Sequence, residues 1–263
     1  MGKTRTFLRR AALPALCAAA AAPAWATNGM NMEGYGPVST GMGGASQAID
    51  HGTAAMAQNP ATLGLMAAGS SRMDLAFGRL GPKVNSSIPG FASADSSGTA
   101  YYMPALGFAR RQGALTWGVG LFAQGGMGTD YAGDSFLAMG SGQPVRSELG
   151  VGRLLLPVAW QATPDLTIGA SLDFVWAGLD LRMAASGAQL GGLVTGVSGN
   201  LGMAMPALAG APWARIDFSN SSDFTGAAKS TGWAGKLGLV YRLAPGLTLG
   251  ASYQTETSLG DMK

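Results

Sequence analysis

The chain has 263 residues, of which 42 are glycine and 12% are charged, whereas soluble domains average about 7% glycine and about 25% charged residues. Its only cysteine is Cys17, which excludes a disulfide framework and a cysteine-rich metal site. The formal charge of +3 comes from cations close to the N-terminus and leaves no nucleic-acid-binding footprint.

Residues 1–26 have the organisation of a secretory signal peptide. A basic start is followed by an apolar stretch over 11–22, too short to span a bilayer, and by the small-x-small site Ala24-Trp25-Ala26. Cleavage after Ala26 removes Cys17 and leaves 13 basic against 14 acidic residues. The remaining sequence has no apolar run of about 18 residues, so we predict no transmembrane helix.

Residues 27–71 do not alternate between apolar and polar positions. Their glycine-rich stretch over 41–45 and the triplet Asn59-Pro60-Ala61 predict compact backbone with short helices, in which Pro60 begins a helix and Asn59 caps it. In front of a barrel, such a segment is predicted to be a plug, or hatch. A flexible periplasmic tail is the alternative.

Seven later segments alternate apolar residues with small polar ones, and this period of two is typical of strands with two different faces. They cover 72–80, 103–110, 115–124, 150–161, 166–176, 233–243 and 247–254. Their length suits tilted membrane-crossing strands, which need about 9–11 residues. We therefore predict an all-β protein whose residues 72–263 form part of a transmembrane antiparallel β-barrel.

Charges and aromatic residues agree with a barrel. The charged residues Asp74, Arg153, Asp173, Lys236 and Arg242 fall on the small polar face, whereas Arg79 and Arg110 lie at strand ends. A cation at the lipid midplane would cost roughly 2–4 kcal/mol. The apolar face carries Trp117, Trp160 and Tyr241 near one end and Trp176, Trp233 and Tyr253 near the other. Two aromatic girdles are typical of membrane interfaces; a β-sandwich core is the alternative.

The connections alternate between short turns, such as Ala244-Pro245-Gly246, and long segments over 80–102, 125–147 and 178–231. Outer-membrane barrels have short periplasmic turns and long external loops. Because bacterial barrels have an even number of strands, seven strands lead us to expect that this sequence is about half of a longer protein.

One series of residues before the strands resembles the hatch of the FadL/TodX family of outer-membrane transporters. It consists of the stretch 41–45 followed by Ala48, Gly52, Ala55, Asn59-Pro60-Ala61 and Leu63. The strand segments 104–107, 117–120, 156–160 and 247–254 resemble later parts of the same family. The resemblance implies a plugged barrel of about 14 strands that takes up long-chain fatty acids or aromatic hydrocarbons. It implies passive diffusion from an external groove to a pocket over the hatch, with a sideways exit beside a kinked third strand.

Candidate ligand contacts are Met56, Asn59 and Pro60 in the hatch and Phe122 on the wall. The predicted entrance groove comprises Leu190, Leu193, Val194, Met203, Met205 and Trp213, and the predicted lateral gate comprises Gly125, Gly126 and Gly128. Each has a structural alternative: plug packing for Phe122, helix capping for Asn59, self-packing for the groove and loop backbone for the glycines.

Other classes are disfavoured. His51, the only histidine, lies beside Asp50 with Ser39 and Ser46 nearby, but a Ser-His-acid site would need a nucleophile elbow that is missing. A general porin or an adhesin barrel is the remaining alternative. We predict no enzyme activity, no cofactor and no metal. We expect a monomer of the outer membrane that contacts membrane lipid, lipopolysaccharide, the barrel-assembly machinery and a small hydrophobic ligand.

Overall fold

The computed structural model describes residues 32–194, 196–197, 200–220 and 226–262, and the predicted signal peptide lies outside these ranges. The helices are α1 (Gly36–Gly41), α2 (Ala55–Gln58), α3 (Gly187–Leu193) and α4 (Asn200–Ala209), with 3-10 helices at Pro60–Leu65 and Phe136–Ala138. The strands are β1 (Ser71–Leu80), β2 (Asn85–Ile88), β3 (Ala92–Asp95), β4 (Tyr101–Gln112), β5 (Leu115–Tyr131), β6 (Val145–Gln161), β7 (Leu166–Ala185), β8 (Ala214–Phe218), β9 (Ala228–Ala244), β10 (Leu247–Gln254) and β11 (Ser258–Leu259).

The wall of the molecule is one antiparallel sheet in the order β1-β4-β5-β6-β7-β9-β10. These are the seven predicted strands, and each pairs with its sequence neighbour in the wall, as an up-and-down barrel requires. The sheet is open between β1 and β10 within the described residues. The predicted fold class is therefore confirmed as a partial barrel.

Burial alternates along the wall as the sequence predicted. In β7, the side chains of Ile168, Leu172 and Trp176 are exposed, while Thr167 and Asp173 are buried. All six aromatic residues assigned to the two girdles are exposed as well. The apolar face of the sheet therefore points away from the molecule and the small polar face points inward. Among the described residues, no helix is long and apolar enough to cross a bilayer.

The predicted strand ends are wrong on the side of the long connections. β5, β6 and β9 have 17 residues each and β7 has 20, so the predicted loops 125–147 and 178–231 begin inside strands. The backbone ladder continues through the pairs Asp130↔Arg146 and Arg146↔Arg182. These residues are charged, so the apolar alternation that predicted the strands stops before the strands end. The hairpin of β2 and β3 and the short strand β8 also lie in segments predicted as loops.

The hatch segment packs against the inward face of the wall. Met56, Leu63 and Met66 form a buried apolar cluster with wall residues that include Phe122 and Leu155. Wall glycines permit this approach, because a Cβ on Gly238 would lie 2.0 Å from Asn59 Oδ1 and one on Gly169 would lie 2.4 Å from the nitrogen of Ala61. A side chain at either glycine would push the hatch off the wall.

Candidate functional site

Asn59 and Pro60 begin the 3-10 helix that carries the hatch against the wall. The side-chain oxygen of Asn59 accepts a hydrogen bond from the Ala61 amide at 3.0 Å, as a helix cap does. Its Nδ2 donates to the carbonyl oxygens of Gln47 at 2.7 Å and Leu239 at 3.1 Å. The Asn59 side chain therefore joins two parts of the hatch to β9. This geometry supports the capping role and leaves the predicted ligand contact at Asn59 and Pro60 a prediction.

Met56 and Phe122 lie together at the centre of the packed interior. Both side chains are buried, and a Cβ on Gly120 between them would meet the Met56 sulfur at 2.5 Å and the Phe122 ring at 2.3 Å. The Tyr35 ring stands edge-on to Phe122, with ring centroids 6.1 Å apart. Burial raises the pKa of Tyr35 to about 12, so this phenol is neutral. The hatch thus presents an uncharged aromatic surface to β5.

A buried ion pair stands next to this aromatic surface. Arg153 of β6 and Asp173 of β7 are 3.0 Å apart, and their side chains are 4% and 0% exposed. The guanidinium of Arg153 also donates to the hydroxyl of Thr257 at 3.0 Å and to the side-chain oxygen of Gln124. The inward ammonium of Lys236 donates to the carbonyl oxygen of Ala57 in the hatch. Arg153 and Lys236 are therefore both engaged by the protein itself.

The pairing between β4 and β5 ends part-way up the wall. The last pair is Ala105↔Phe122, and the register of β5 against β6 shifts between Ala123 and Gly125, which marks a β-bulge. Pro104, the next residue of β4, has no N–H to donate to a ladder. The carbonyl oxygen of Gln124, within the bulge, accepts instead from the Met32 amide of the hatch at 3.1 Å. Within the described residues, β4 and β5 are therefore unpaired beyond Ala105↔Phe122, and this unpaired stretch is the opening between the two strands.

The predicted gate residues Gly125, Gly126 and Gly128 lie directly beyond this bulge. They are part of β5 rather than of a loop, and they pair with β6. Gly126 has a φ of +143°, which only glycine adopts readily. The glycines are therefore placed at the edge of the opening, and their role as a gate stays a prediction.

A cavity of about 460 Å³ occupies the opening. On the inward side it is lined by residues that include Met103, Phe122 and Ala177, and on the outward side by residues that include Leu121 and Trp176. Because successive strand residues point to opposite faces, this one space is lined by residues of both faces of the wall. Its volume lies within the range of about 300–1,000 Å³ typical of small-molecule pockets.

The predicted entrance groove lies in the connection between β7 and β9. Leu190 and Leu193 belong to α3, Val194 follows it, Met203 and Met205 belong to α4, and Trp213 precedes β8. Met203 is 78% exposed and Trp213 is 36% exposed, so two of the apolar residues named for the groove are accessible from outside. Their contact with ligand stays a prediction.

The residue types of a hydrolytic site do not assemble. The hydroxyls of Ser39 and Ser46 bond to each other at 2.7 Å, and Asp50 pairs with Arg72. Neither ring nitrogen of His51 has a hydrogen-bond partner within the described part of the chain. Burial lowers the pKa of His51. The same described residues contain no group of three or more His, Cys, Asp or Glu side chains placed to hold a metal ion.

Comparison with known proteins decides the family. The sequence model for outer membrane protein transport proteins of the OMPP1/FadL/TodX type matches residues 14–260. The chain belongs to this family. The relatives named below are transport channels and not enzymes. The location that the family gives this chain is the outer membrane.

Solved structures of this family share the fold. The toluene transporter TodX of P. putida is 34% identical with a TM-score of 0.76, and the match covers 88% of this chain and 58% of TodX. The toluene transporter TbuX of Ralstonia pickettii is 37% identical with a TM-score of 0.71 over 88% of this chain and 59% of TbuX. A FadL homologue of Pseudomonas aeruginosa is 13% identical with a TM-score of 0.54, and the match covers 87% of this chain and 52% of that homologue. At this identity the likeness shows the fold alone. The chain thus spans less than two thirds of these proteins.

Sequence reasoning missed three residues of the site. Tyr35 gave no signal beyond its place in a glycine-rich stretch, and its contact with Phe122 depends on the hatch fold. Gln124 was predicted to be an ordinary strand residue, although the glycines that follow it indicate irregular strand pairing. Trp176 was assigned to the outer girdle, and its place at the cavity follows from the register of β6 and β7.

Proposed function

We propose that this protein passes small hydrophobic molecules through the outer membrane by passive diffusion. In the proposal, ligand moves from the entrance groove to the interior chamber, which is the inward end of the cavity at Met103 and Phe122, and leaves sideways through the opening between β4 and β5. The observation that carries the proposal is the cavity, which joins the interior at Phe122 to the lipid-facing side at Trp176. An apolar solute on this path keeps its surface out of water, which is worth about 25 cal/mol per Å².

Neutral aromatic hydrocarbons fit the chamber better than fatty-acid anions. The inward lining of the cavity by Met103, Phe122, Val151, Ala177 and Ser230 carries no charge. A buried carboxylate requires a partner. Arg153 is paired with Asp173 and Lys236 is bonded to Ala57, so a ligand carboxylate would have to displace one of these contacts. TodX and TbuX, the similar structures, are toluene transporters.

The remaining parts of the proposal concern the whole protein. Residues 27–71 act as the hatch and residues 72–263 as part of the wall, after signal-peptide removal near Ala26. The mature protein is a monomer that is inserted by the barrel-assembly machinery and contacts outer-membrane lipid and lipopolysaccharide. The exposed apolar side chains of the wall, with Trp and Tyr at both ends, support contact with lipid.

Uptake by cells tests this function. A strain without the gene, complemented with the complete gene or with empty vector, is given radiolabelled toluene or radiolabelled oleate at limiting concentration. We expect several-fold faster toluene uptake with the gene and little change for oleate. Equal toluene uptake in both strains would contradict the proposal, and a gain for oleate alone would assign the path to fatty acids. Rapid swelling of protein-containing liposomes in small sugars would instead indicate a general porin.

A further inference from the structure

A row of glycines crosses the outward face of the wall beside the opening. Gly126 of β5 pairs with Gly150 of β6, and Gly150 pairs with Gly178 of β7. In β6 the inward positions are odd-numbered, as the buried Arg153 and Leu155 show, so Gly150 and Gly152 lie on the outward face. A Cβ on Gly178 would meet the nitrogen of Gly226 at 2.9 Å, and one on Gly126 would meet the carbonyl oxygen of Leu149 at 2.4 Å. The open floor of the trough between the larger outward residues is therefore the backbone at Gly150.

The walls of this glycine trough are aromatic and apolar. The Trp176 indole covers Gly152, since a Cβ on Gly152 would lie 2.1 Å from the ring. Leu121 and Tyr102 stand on the side of the opening. At Gly150 the trough is empty, because a Cβ built there meets no atom within 4 Å. The result is a slot with a flat ring on one side.

The trough and the interior chamber are two ends of one cavity. The same space is lined by Met103 and Phe122 at the inward end and by Gly150, Gly152 and Trp176 at the outward end. A solute that leaves the chamber through the opening therefore meets the trough before it meets bulk lipid.

The rim of the trough does not attract a lipid phosphate. Glu148 and Asp180 line this end of the cavity together with Lys229. Arg146 is held among the acids, 2.7 Å from Glu148 and 3.5 Å from Asp180. Charge at the rim thus gives no preference for an anionic headgroup, whereas the slot beside the indole matches a planar apolar ring. Aromatic rings pair with one another in offset-stacked or edge-to-face arrangements.

We propose that the glycine trough is an outer binding site for the transported aromatic hydrocarbon, which stacks there against Trp176 over Gly150 before it enters the membrane. The inference rests on the proposed function, since it assumes that an aromatic ring passes through the opening. After the hydrocarbon has passed the opening, Gly150 supplies the space that it occupies and Trp176 supplies the ring surface that it contacts.

Filling the trough tests the site. Gly150→Ala and Gly150→Leu are made in the complete protein, which is purified from the outer membrane in folded form. The matched control is Gly235→Leu, an outward glycine on β9 whose nearest neighbour to a new Cβ is the Thr255 methyl group at 3.6 Å. Toluene uptake by cells and equilibrium binding of toluene to the purified protein are measured for each variant.

We expect Gly150→Leu to slow toluene uptake at least fivefold, Gly150→Ala to slow it less, and Gly235→Leu to leave it unchanged. Binding in the chamber should persist in all three variants, so lost uptake with retained binding supports the outer site. Unchanged uptake in Gly150→Leu would overturn it. Faster uptake would also overturn it, because filling a site that the ligand must occupy should not speed its passage. Wild-type protein that takes up no toluene would instead count against the proposed function.

Discussion

Replacing Asp173 by Asn should lower the free energy of unfolding by about 3–5 kcal/mol, since removing one partner of a buried ion pair leaves an uncompensated charge. Arg153 is 4% exposed and has Asp173 as its carboxylate partner at 3.0 Å. Asp173 also accepts a hydrogen bond from the hydroxyl of Ser171. The measurement is urea-induced unfolding of the complete protein in detergent micelles, followed by tryptophan fluorescence.

A double variant separates the lost charge balance from lost packing. Arg153→Met with Asp173→Leu removes both charges while keeping similar volumes, and apolar replacement of a buried pair is often neutral or stabilising. We expect it to recover most of the stability lost in Asp173→Asn. If Asp173→Asn alone unfolds at the wild-type urea concentration, the pair is not buried in the complete protein.

Phe122→Ala should have the second large effect, because Phe122 is 2% exposed at the centre of the interior cluster. Truncating a buried phenylalanine typically costs about 3–5 kcal/mol of stability. The same change removes the ring that lines the inward end of the cavity. Toluene affinity should fall about tenfold, equivalent to about 1.4 kcal/mol. Calorimetric titration of toluene into the purified protein measures this loss.

The matched control is Phe108→Ala on the neighbouring strand. Phe108 pairs with Val119, and its ring packs against Trp117 on the outward face. The substitution is chemically identical but lies on the lipid side, away from the cavity. We expect toluene affinity to stay within twofold of wild type. Equal losses from both substitutions would mean that Phe122 acts through general stability and not through contact with ligand.

The wall could be predicted from the sequence because its signal is local. Each strand carries its own alternation, so the inward positions of Asp173 and Lys236 and the outward positions of Trp117 and Trp176 follow from counting by two. The strand ends could not be predicted, since the apolar pattern stops at the lipid boundary while hydrogen bonding continues to Tyr131 in β5 and Ala185 in β7.

The site could be predicted only in part, because its contacts join distant residues. Phe122 was predicted as a ligand contact because it lies on the inward face of its strand, and Met56 because it lies in the segment that resembles the hatch. The two residues do lie together. The pairing of Arg153 with Asp173 depends on the register of β6 against β7. The Gln124 bulge depends on Arg153 and on Met32 of the hatch. Such partners are separated by tens of residues, and no local pattern in the sequence reports them.

The opening between β4 and β5 is the central feature of the proposed path, and closing it tests the path directly. In the complete protein, Met103→Cys and Gly125→Cys place two thiols at the cavity, and a short bifunctional thiol reagent that is cleaved by reductant ties them together. The control pair is Phe108→Cys and Val119→Cys, where the strands already pair.

The mass of the protein after treatment of whole cells verifies each cross-link, because a cross-link adds one reagent molecule whereas two singly modified thiols add two. Toluene uptake is then measured before the reagent, after it, and after the cross-link is cleaved. We predict that uptake falls at least tenfold when Met103→Cys and Gly125→Cys are joined, recovers on cleavage and stays constant for the control pair. Unchanged uptake with the strands joined would contradict a path through this opening.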